Sequence, residues 1–269
     1  MPTPTLDLDA VVELCRELSR RIHQRTAGQC AVEYTPFNVV AFKLFGYSLN
    51  TFKSIFYLLP HTVYEQATVL YRTLWETAAT LEWISQDPSS RSDAFLSFTA
   101  VEHCRFREAR IRAARRAGNS NLVLQFAQQL AAFERALDQQ LSSFGFTDRR
   151  GRRRWRERFA GINLREIATA LGGEWLEEYD REYLLACSYT HGAPGAVLFP
   201  LFETQDHALD QVRSGDRSAV LGVASIAVMS RIYRRLLAIR AESDDDFLRD
   251  LAHRATYVGA PRDRLVVPE

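Results

Sequence analysis

The sequence predicts an all-α fold, a multi-helix bundle in a single compact domain. Apolar residues recur at helical spacing through nearly every segment, with no internal repeat and no alternating pattern of useful strand length. The hydrophobic fraction of 46% and the charged fraction of 25% are those of an ordinary globular protein. With 269 residues and no linker, the chain is long enough to bury one substantial core.

The first two predicted helices occupy the N-terminal part of the chain. The first begins after Asp7 or Asp9 and ends near Gly28. The second covers residues 37–59, an aromatic-rich stretch that Pro60 interrupts. Its apolar residues spread over a broad face, which predicts a central position in the bundle.

Three further helices are predicted in the middle of the chain. The third covers residues 61–85. The fourth follows the N-cap residues Ser89 and Ser90 and ends at residue 117. Residues 122–141 have the apolar spacing of a fifth helix, and the Gly-Asn turn before them predicts a helical hairpin.

Residues 145–162 predict an exposed connection rich in arginine. Short helices are then expected over 163–171 and 174–191, and a long final helix over 214–241. The only candidate for extended structure is Ala196 to Phe202.

These elements predict a helical bundle domain over residues 1–242 and a peripheral C-terminal tail over residues 243–269. The apolar stretch 37–59 reaches transmembrane length, but Lys43 and Lys53 interrupt it, which indicates a core helix and no membrane association. Four widely spaced cysteines and the absence of a secretory leader favour a reducing, cytoplasmic location.

The best candidate for a functional corner is His191, which ends a helical run just before Gly192 and Pro194. On a helical wheel it falls at the edge of the apolar face, beside Asp180 and Cys187. A histidine in that place is half buried and still able to titrate near neutral pH.

Arg72 and Glu76 lie four residues apart in the third helix, so their side chains are expected to meet. Their stripe lies opposite the apolar centre of the helix, facing either solvent or a polar seam between helices. In a buried seam the arginine must be paired, and a paired arginine beside a histidine is a reasonable anion or phosphate site.

The segment around these two residues, Tyr71-Arg-Thr-Leu-Trp-Glu-Thr-Ala78, resembles the Arg-x-x-x-Glu helix of a bacterial all-helical family of unknown function, family 5677. Ser188-Tyr-Thr-His191-Gly is similar to the downstream Ser-x-x-His segment of that family. Carried over residue by residue, the resemblance implies that Arg72, Glu76, Ser188 and His191 form one polar cluster between helices.

More distantly, the chain resembles the HEPN superfamily of helical toxin and defence ribonucleases, in which a short Arg-x(4–6)-His motif acts on the RNA phosphate. This sequence departs from that pattern because nine residues separate Arg181 from His191, nearly three helical turns. Arg72 would have to replace the missing arginine from another helix.

A cluster of arginines in the predicted connection is the candidate nucleic-acid surface, with an aromatic residue available for stacking. Neighbouring glutamates dilute the charge, so an ordinary solvated face is the alternative. The candidate binding residues are Arg149, Arg150, Arg152, Arg153, Arg154 and Trp155.

No cofactor and no metal are expected, because the pair of Glu-x-x-His motifs that a di-iron bundle requires does not occur. Cys187 lies one turn before His191, and a small core residue is favoured there over a nucleophile.

Two functions remain open at this point. The leading hypothesis is a cytoplasmic toxin-type or defence protein that acts on RNA, a nucleotide or another phosphate-containing substrate, as a homodimer and under a neutralising or regulatory protein. His191 is then the acid or base, Arg72 the phosphate clamp and Glu76 its orienting partner, with Ser188 and Tyr189 as auxiliary hydrogen-bonding groups. The competing hypothesis is a non-catalytic interaction or ligand-sensing module.

Overall fold

The computed structural model describes residues 7–28, 32–61, 63–149, 151, 153–190 and 207–258. Helices dominate these residues, which confirms the all-α fold class. In chain order the elements are α1 (Leu8–Thr26), α2 (Pro36–Leu58), a 3₁₀ turn (Leu59–His61), α3 (Tyr64–Gln86), α4 (Pro88–Arg116), α5 (Ser120–Ala136), α6 (Asp138–Ser142), β1 (Gly145–Thr147), β2 (Arg153–Trp155), α7 (Leu164–Leu171), α8 (Glu174–Glu178), a π-helical turn (Tyr179–Tyr183), α9 (Leu184–Thr190), α10 (His207–Ile239) and α11 (Asp245–Val258).

The contacts divide the chain into two compact units. The first unit combines Met1–Trp83 with Ile167–Glu269, and the second is Ile84–Glu166. No helix in the described part of the chain is long and apolar enough to cross a membrane.

Side-chain caps explain where several helices begin. The Asp7 carboxylate accepts a hydrogen bond from the Ala10 amide, 3.1 Å away, at the start of α1. At the start of α4 the cap is Asp87 and not the predicted Ser89 or Ser90, because Pro88 occupies the first helical position.

The core of the first unit lies where α10 packs along α1 and α2. Val11, Leu18 and Ile22 on α1 are fully buried. The sequence predicted a peripheral tail from residue 243, but α11 packs against α1 and α10 through its buried Leu248 and Leu251. The hydrophobic face of α11 therefore extends this core.

Asp244, between α10 and α11, is a buried carboxylate held by two partners. Nε of Arg21 donates to it over 2.8 Å and the Tyr233 hydroxyl over 3.1 Å. The hydrogen bond from Arg21 lowers the pKa of Asp244, although burial opposes this. The lowered pKa makes the carboxylate a source of stability above about pH 4, which is lost as the pH falls through the folded-state pKa.

We expect Asp244→Asn to flatten the acid limb of the stability curve, because the substituted side chain binds no additional proton on unfolding. Urea midpoints measured from neutral pH down to about pH 3 test this. Asp246→Asn is the matched control, since Asp246 is almost fully exposed. An acid limb equally steep in wild type and Asp244→Asn contradicts the assignment.

The second unit is built on α4 and α5, the predicted helical hairpin. Its core contains Phe98, Val101, Cys104, Leu141 and Phe144. The predicted fifth helix is divided at residue 137, where α5 ends and the short α6 begins.

The predicted arginine-rich connection contains an antiparallel hairpin of β1 and β2. Phe146 pairs with Arg154, and Gly145 with Trp155. Strands of three residues are too short to show an alternating pattern in the sequence. The segment that was predicted to be extended, 196–202, lies outside the described residues.

Candidate functional site

In the first unit, α3 packs antiparallel to the segment that runs from α8 to α9. Tyr64, near the start of α3, contacts Tyr189, with 5.8 Å between ring centres. Two turns further along α3, the Tyr71 hydroxyl donates to Glu182 over 2.5 Å. As the residue numbers rise along α3, those of its partners in the α8 to α9 segment fall, as antiparallel packing requires.

Trp75 is the centre of this seam and is fully buried. Its indole N–H donates to Glu178 over 2.9 Å, which satisfies the polar atom of a buried ring. Arg231 of α10 donates to the same carboxylate, over 2.7 Å through Nη1. Glu178 thus connects three helical segments, and the Arg231 guanidinium lies 4.9 Å from the Trp175 ring centre.

Arg72 and Glu76 meet as predicted, and the structure places them in a polar seam. Their side chains are 20% and 31% exposed, and 3.0 Å separates Arg72 Nε from Glu76 Oε1. Tyr183 is the third member, donating its hydroxyl to Glu76 and accepting from Arg72 Nε over 3.3 Å. We call Arg72, Glu76 and Tyr183 the seam cluster.

The protonation states in the seam cluster follow from burial and hydrogen bonding. Burial, the hydrogen bond to Glu76 and the Cys187 thiol raise the pKa of Tyr183. Its phenol therefore stays protonated and acts as a donor. Burial opposes the charge on Arg72, but Tyr183 and Glu76 outweigh it and raise the pKa of this arginine.

In the seam cluster, Nε of Arg72 donates hydrogen bonds to Glu76 and Tyr183, which fixes the orientation of its guanidinium. Its guanidinium carbon lies 5.6 Å from the Tyr183 ring centre, so the ring also packs against the charge. The terminal nitrogens make no hydrogen bond to any residue that the structure describes. Chemically, this is an oriented fork of donors suited to two oxygens of a phosphate or carboxylate.

Ser188 and Tyr189, the predicted auxiliary groups, have contacts outside the seam cluster. The Ser188 hydroxyl donates to the Leu185 carbonyl of its own helix over 2.6 Å. Tyr189 packs on Tyr64, eight residues or about 12 Å along α3 from Arg72. His191 lies outside the described residues.

Sequence reasoning missed the role of Tyr183 in the seam cluster. It is buried, and it is the last residue of the π-helical turn, an irregularity that is frequent at functional sites. Its Arg72 partner is 111 residues away in sequence, so no local spacing signals the contact.

The second unit carries a strong positive charge. Ile84–Glu166 contains 16 arginines, no lysine and nine acidic residues, a net charge of +7. Because the whole chain has a net charge of +1, the rest of it carries −6. The near-neutral total therefore conceals a cationic unit of the kind that attracts polyanions.

A cleft of about 1040 Å³ in the second unit lies beside the hairpin. Phe146 and Arg154, which are cross-strand partners and so share a face, line it together with Arg156 and Arg158. The Phe146 ring is 50% exposed, which makes it a stacking surface that sequence reasoning missed. The pairing of Phe146 with Arg154 could not be predicted from the sequence, because strands of three residues show no alternating pattern.

Several predicted binding residues have structural partners. Trp155 packs on the core of the second unit and donates its indole N–H to Glu108 over 3.2 Å. Arg154 donates to Asp148 over 3.1 Å and remains half exposed. Arg105 binds the carbonyls of Arg156 and Glu157, so its role is to hold the chain beside the cleft.

The remaining candidates are placed as follows. Arg149 precedes β2, and Arg153 is the first residue of that strand. Arg150 and Arg152 lie outside the described residues. In the described portion of the molecule, no group of three or more metal-binding side chains comes together.

Fold and site define an all-helical protein with a half-buried Arg–Glu–Tyr cluster and a separate arginine-rich unit. The chain belongs to the family described as "Family of unknown function (DUF5677)", whose model matches residues 38–208. This match includes Arg72, Glu76, Ser188 and the whole second unit, and it confirms the resemblance seen in the sequence. No curated protein and no solved structure matches the chain.

Proposed function

We propose that this protein binds single-stranded RNA through its arginine-rich unit and cleaves the RNA backbone at the seam cluster with His191. Arg72 carries the proposal, because its guanidinium is fixed by Glu76 and Tyr183 while its terminal nitrogens have no bond to the described residues. A preorganised donor pair of this kind stabilises the charge that develops on a phosphate during transfer.

The proposed reaction needs no metal. His191 accepts the proton of a 2′-hydroxyl, the 2′ oxygen forms a bond to phosphorus, and the bond from phosphorus to the 5′ oxygen breaks. The 5′ oxygen takes a proton from water, and His191 returns its proton to the solvent. Arg72 binds the non-bridging oxygens throughout. The products are a 2′,3′-cyclic phosphate end and a 5′-hydroxyl end, and DNA is not a substrate because it lacks the nucleophile.

Binding by the second unit is supported by its charge and by the cleft. Arginines supply contacts to phosphates, and the exposed Phe146 ring supplies a face for base stacking. Single-stranded RNA fits this combination better than a duplex, because unstacked bases are needed to cover an aromatic ring. We further propose a toxin or defence role in a homodimer, controlled by a neutralising partner.

Expression of the wild type in bacteria is expected to slow growth and fragment total RNA and tRNA. Arg72→Ala and His191→Ala are expected to abolish both effects, because each removes one part of the phosphate chemistry. The RNA ends are analysed for 2′,3′-cyclic phosphate. Arg181→Ala is the matched control, since Arg181 is exposed and pairs with the adjacent Glu182.

Circular dichroism and urea midpoints establish that the variants remain folded. Intact RNA on wild-type expression and with the purified protein contradicts cleavage. Loss of cleavage in Arg181→Ala to the same extent as in Arg72→Ala contradicts the specific role of Arg72.

For RNA binding, we expect two separable effects at the cleft. Phe146→Ala is expected to weaken binding about 5- to 150-fold at every salt concentration, since stacking contributes about 1–3 kcal/mol per base. Arg158→Gln is expected to reduce the slope of log affinity against log salt by about 1, because one phosphate contact is lost. Fluorescence polarisation with a labelled oligonucleotide measures both.

Arg135→Gln controls for net charge in this experiment, because Arg135 is exposed on α5 and does not line the cleft. An equal change of slope in Arg135→Gln and Arg158→Gln shows that charge alone matters and removes the cleft from the proposal.

A second candidate is a non-catalytic module, and one observation favours it. Arg72, Glu76 and Tyr183 bond to one another, as expected of a polar contact that fixes helix packing. On this alternative, Arg72→Ala lowers the free energy of unfolding and leaves wild-type and variant RNA profiles identical. The expression experiment above therefore separates the two candidates.

A further inference from the structure

One face of the helix pair α4 and α5, in the second unit, carries interleaved basic and aromatic side chains. On α4, positions 103, 106, 107 and 110 have the spacing of residues that share one helix face. On α5, positions 126 and 133 lie two turns apart and contact this face. We call this set the arginine stripe, and its members are His103, Phe106, Arg107, Arg110, Phe126 and Phe133.

Both arginines of the stripe stack on phenylalanine rings of α5. The guanidinium carbon of Arg107 lies 4.0 Å from the ring centre of Phe133, and that of Arg110 lies 4.1 Å from the ring centre of Phe126. Stacking restricts the side chain and leaves the nitrogens at the guanidinium edge for acceptors. The Phe106 ring, centred 6.0 Å from the Arg110 guanidinium carbon, is 63% exposed and has a free aromatic face.

Neither arginine of the stripe has a carboxylate partner among the residues that the structure describes. Arg107 donates through Nη1 to the His103 carbonyl of its own helix over 3.3 Å, and Arg110, which is exposed, makes no hydrogen bond to a described residue. Arg112 of the same helix, by contrast, pairs with Glu108. The two stripe arginines therefore have donors for an anion from outside the chain.

The acidic residues nearest in sequence lie away from the stripe. At about 100° per residue, Glu102 and Glu108 of α4 are about 90° and about 150° around the helix from the centre of the stripe. Glu134, the only acidic residue of α5, is about 90° from Phe126 and Phe133. The arginines therefore set the local charge, on a unit whose net charge is +7.

The stripe and the cleft beside β1 and β2 lie on opposite faces of α4. Arg105 and Glu108 line the cleft, and the midpoint between them is about 180° around the helix from the centre of the stripe. A helix with its side chains is about 10–12 Å across, so a short strand cannot cover both surfaces. The stripe is therefore a separate surface.

An open cavity of about 420 Å³ continues the stripe, and His103 and Phe133 are among its lining residues. Leu96 and Ala100 give it an apolar wall, and Gln140 contributes an amide. Its volume lies within the range of small-molecule pockets, about 300–1,000 Å³. An apolar wall beside an amide suits a nucleobase, because the base packs through its face and forms hydrogen bonds through its edge.

We propose that the arginine stripe is a second binding site for single-stranded RNA. Arg107 and Arg110 bind backbone phosphates, Phe106 stacks with a base, and the cavity beside His103 receives another base. An acidic protein segment is also attracted to arginines, but the exposed ring and the cavity favour bases. The inference rests on the proposed binding of single-stranded RNA by the second unit, and it does not depend on cleavage.

The test is fluorescence polarisation of the full-length protein with a labelled 2′-O-methyl oligouridine of about six nucleotides, within the range of about 4–16 that one single-strand site covers. The methylated 2′ oxygen cannot attack phosphorus, so the probe reports binding alone. Titration at probe concentrations above Kd is expected to give two probes per wild-type chain. One probe per chain is expected for Arg107→Gln/Arg110→Gln, the stripe variant, and for Phe146→Ala/Arg158→Gln, the cleft variant.

The cleft variant isolates the stripe for measurements of affinity. Adding Phe106→Ala to it is expected to weaken binding about 5- to 150-fold through lost stacking. Adding Arg107→Gln/Arg110→Gln is expected to reduce the slope of log affinity against log salt by about 1.4–2, about 0.7–1 for each phosphate contact. Arg107→Lys/Arg110→Lys should keep the slope and lose affinity, because lysine retains the charge without the planar stack.

Arg116→Gln/Arg135→Gln is the matched control for net charge, because both residues are exposed and lie outside the stripe and the cleft. Unchanged stoichiometry and affinity in a stripe variant that is folded by circular dichroism overturns the stripe and leaves the cleft standing. An equal loss in the charge control also overturns the stripe. A loss in the stripe variant alone supports the stripe and overturns the cleft, and no binding by the wild type overturns both.

Discussion

Glu178→Ala is expected to lower the free energy of unfolding by about 3 kcal/mol, near the lower end of the range for removing one partner of a buried ion pair. The Glu178 carboxylate is 13% exposed and receives hydrogen bonds from Trp75 and Arg231. Its removal leaves the Trp75 N–H without its acceptor and the Arg231 charge paired only with the exposed Glu174 among the described residues. Arg231 keeps some access to water, which limits the loss.

Urea denaturation of the purified protein measures this effect, and Glu174→Ala is the matched control. Glu174 binds the same Arg231 over 3.0 Å but is 80% exposed, so its removal should cost about 0–0.5 kcal/mol. Glu178→Gln should fall between the two, because an amide oxygen still accepts from Trp75. Equal effects of the two alanine substitutions would show that burial does not set the value of this contact.

Gly222→Ala is expected to destabilise the protein by about 2 kcal/mol, the cost of inserting a methyl group into a closely packed core. A Cβ atom at Gly222 would overlap Val11 Cγ1 and lie 3.0 Å from Leu59 Cδ1. The overlap forces α10 away from α1 in the core of the first unit. Gly222→Val is expected to cost more for the same reason.

Gly46→Ala, on the neighbouring helix α2, is expected to have the opposite effect and stabilise the protein. Gly46 is helical, and an added Cβ there meets no atom within 4 Å. Alanine should therefore stabilise α2 by about 0.5–1 kcal/mol through its helix propensity. Thermal unfolding of both variants checks the pair, and destabilisation of similar size by both would refute the close approach at Gly222.

Helix positions were largely predictable because helical periodicity is a local signal. The boundaries of α1 and α2 follow from the polar caps and the prolines beside apolar runs. The hairpin of β1 and β2 was not predictable, since strands of three residues carry no usable period. The packing of α11 was also missed, because its charged start obscured the apolar stripe that contains Leu248 and Leu251.

In the candidate site, too, local contacts were predictable from the sequence and long-range contacts were not. Arg72 and Glu76 were paired correctly from the sequence, because positions four apart in a helix meet in any helix. Their joining to Tyr183 depended on how α3 packs against a segment more than 100 residues later. The Arg231–Glu178 contact and the Phe146–Arg154 pair likewise arise from packing and strand register.

By itself, the sequence determined the all-α class, the family and the helical pairing of Arg72 with Glu76. These depend on neighbouring residues or on motif matches. Only the tertiary structure decided that the Arg72 stripe faces a seam and that the arginines are concentrated in a compact unit. The physical reason is that burial and long-range hydrogen bonds depend on which surfaces meet, and local spacing does not specify that.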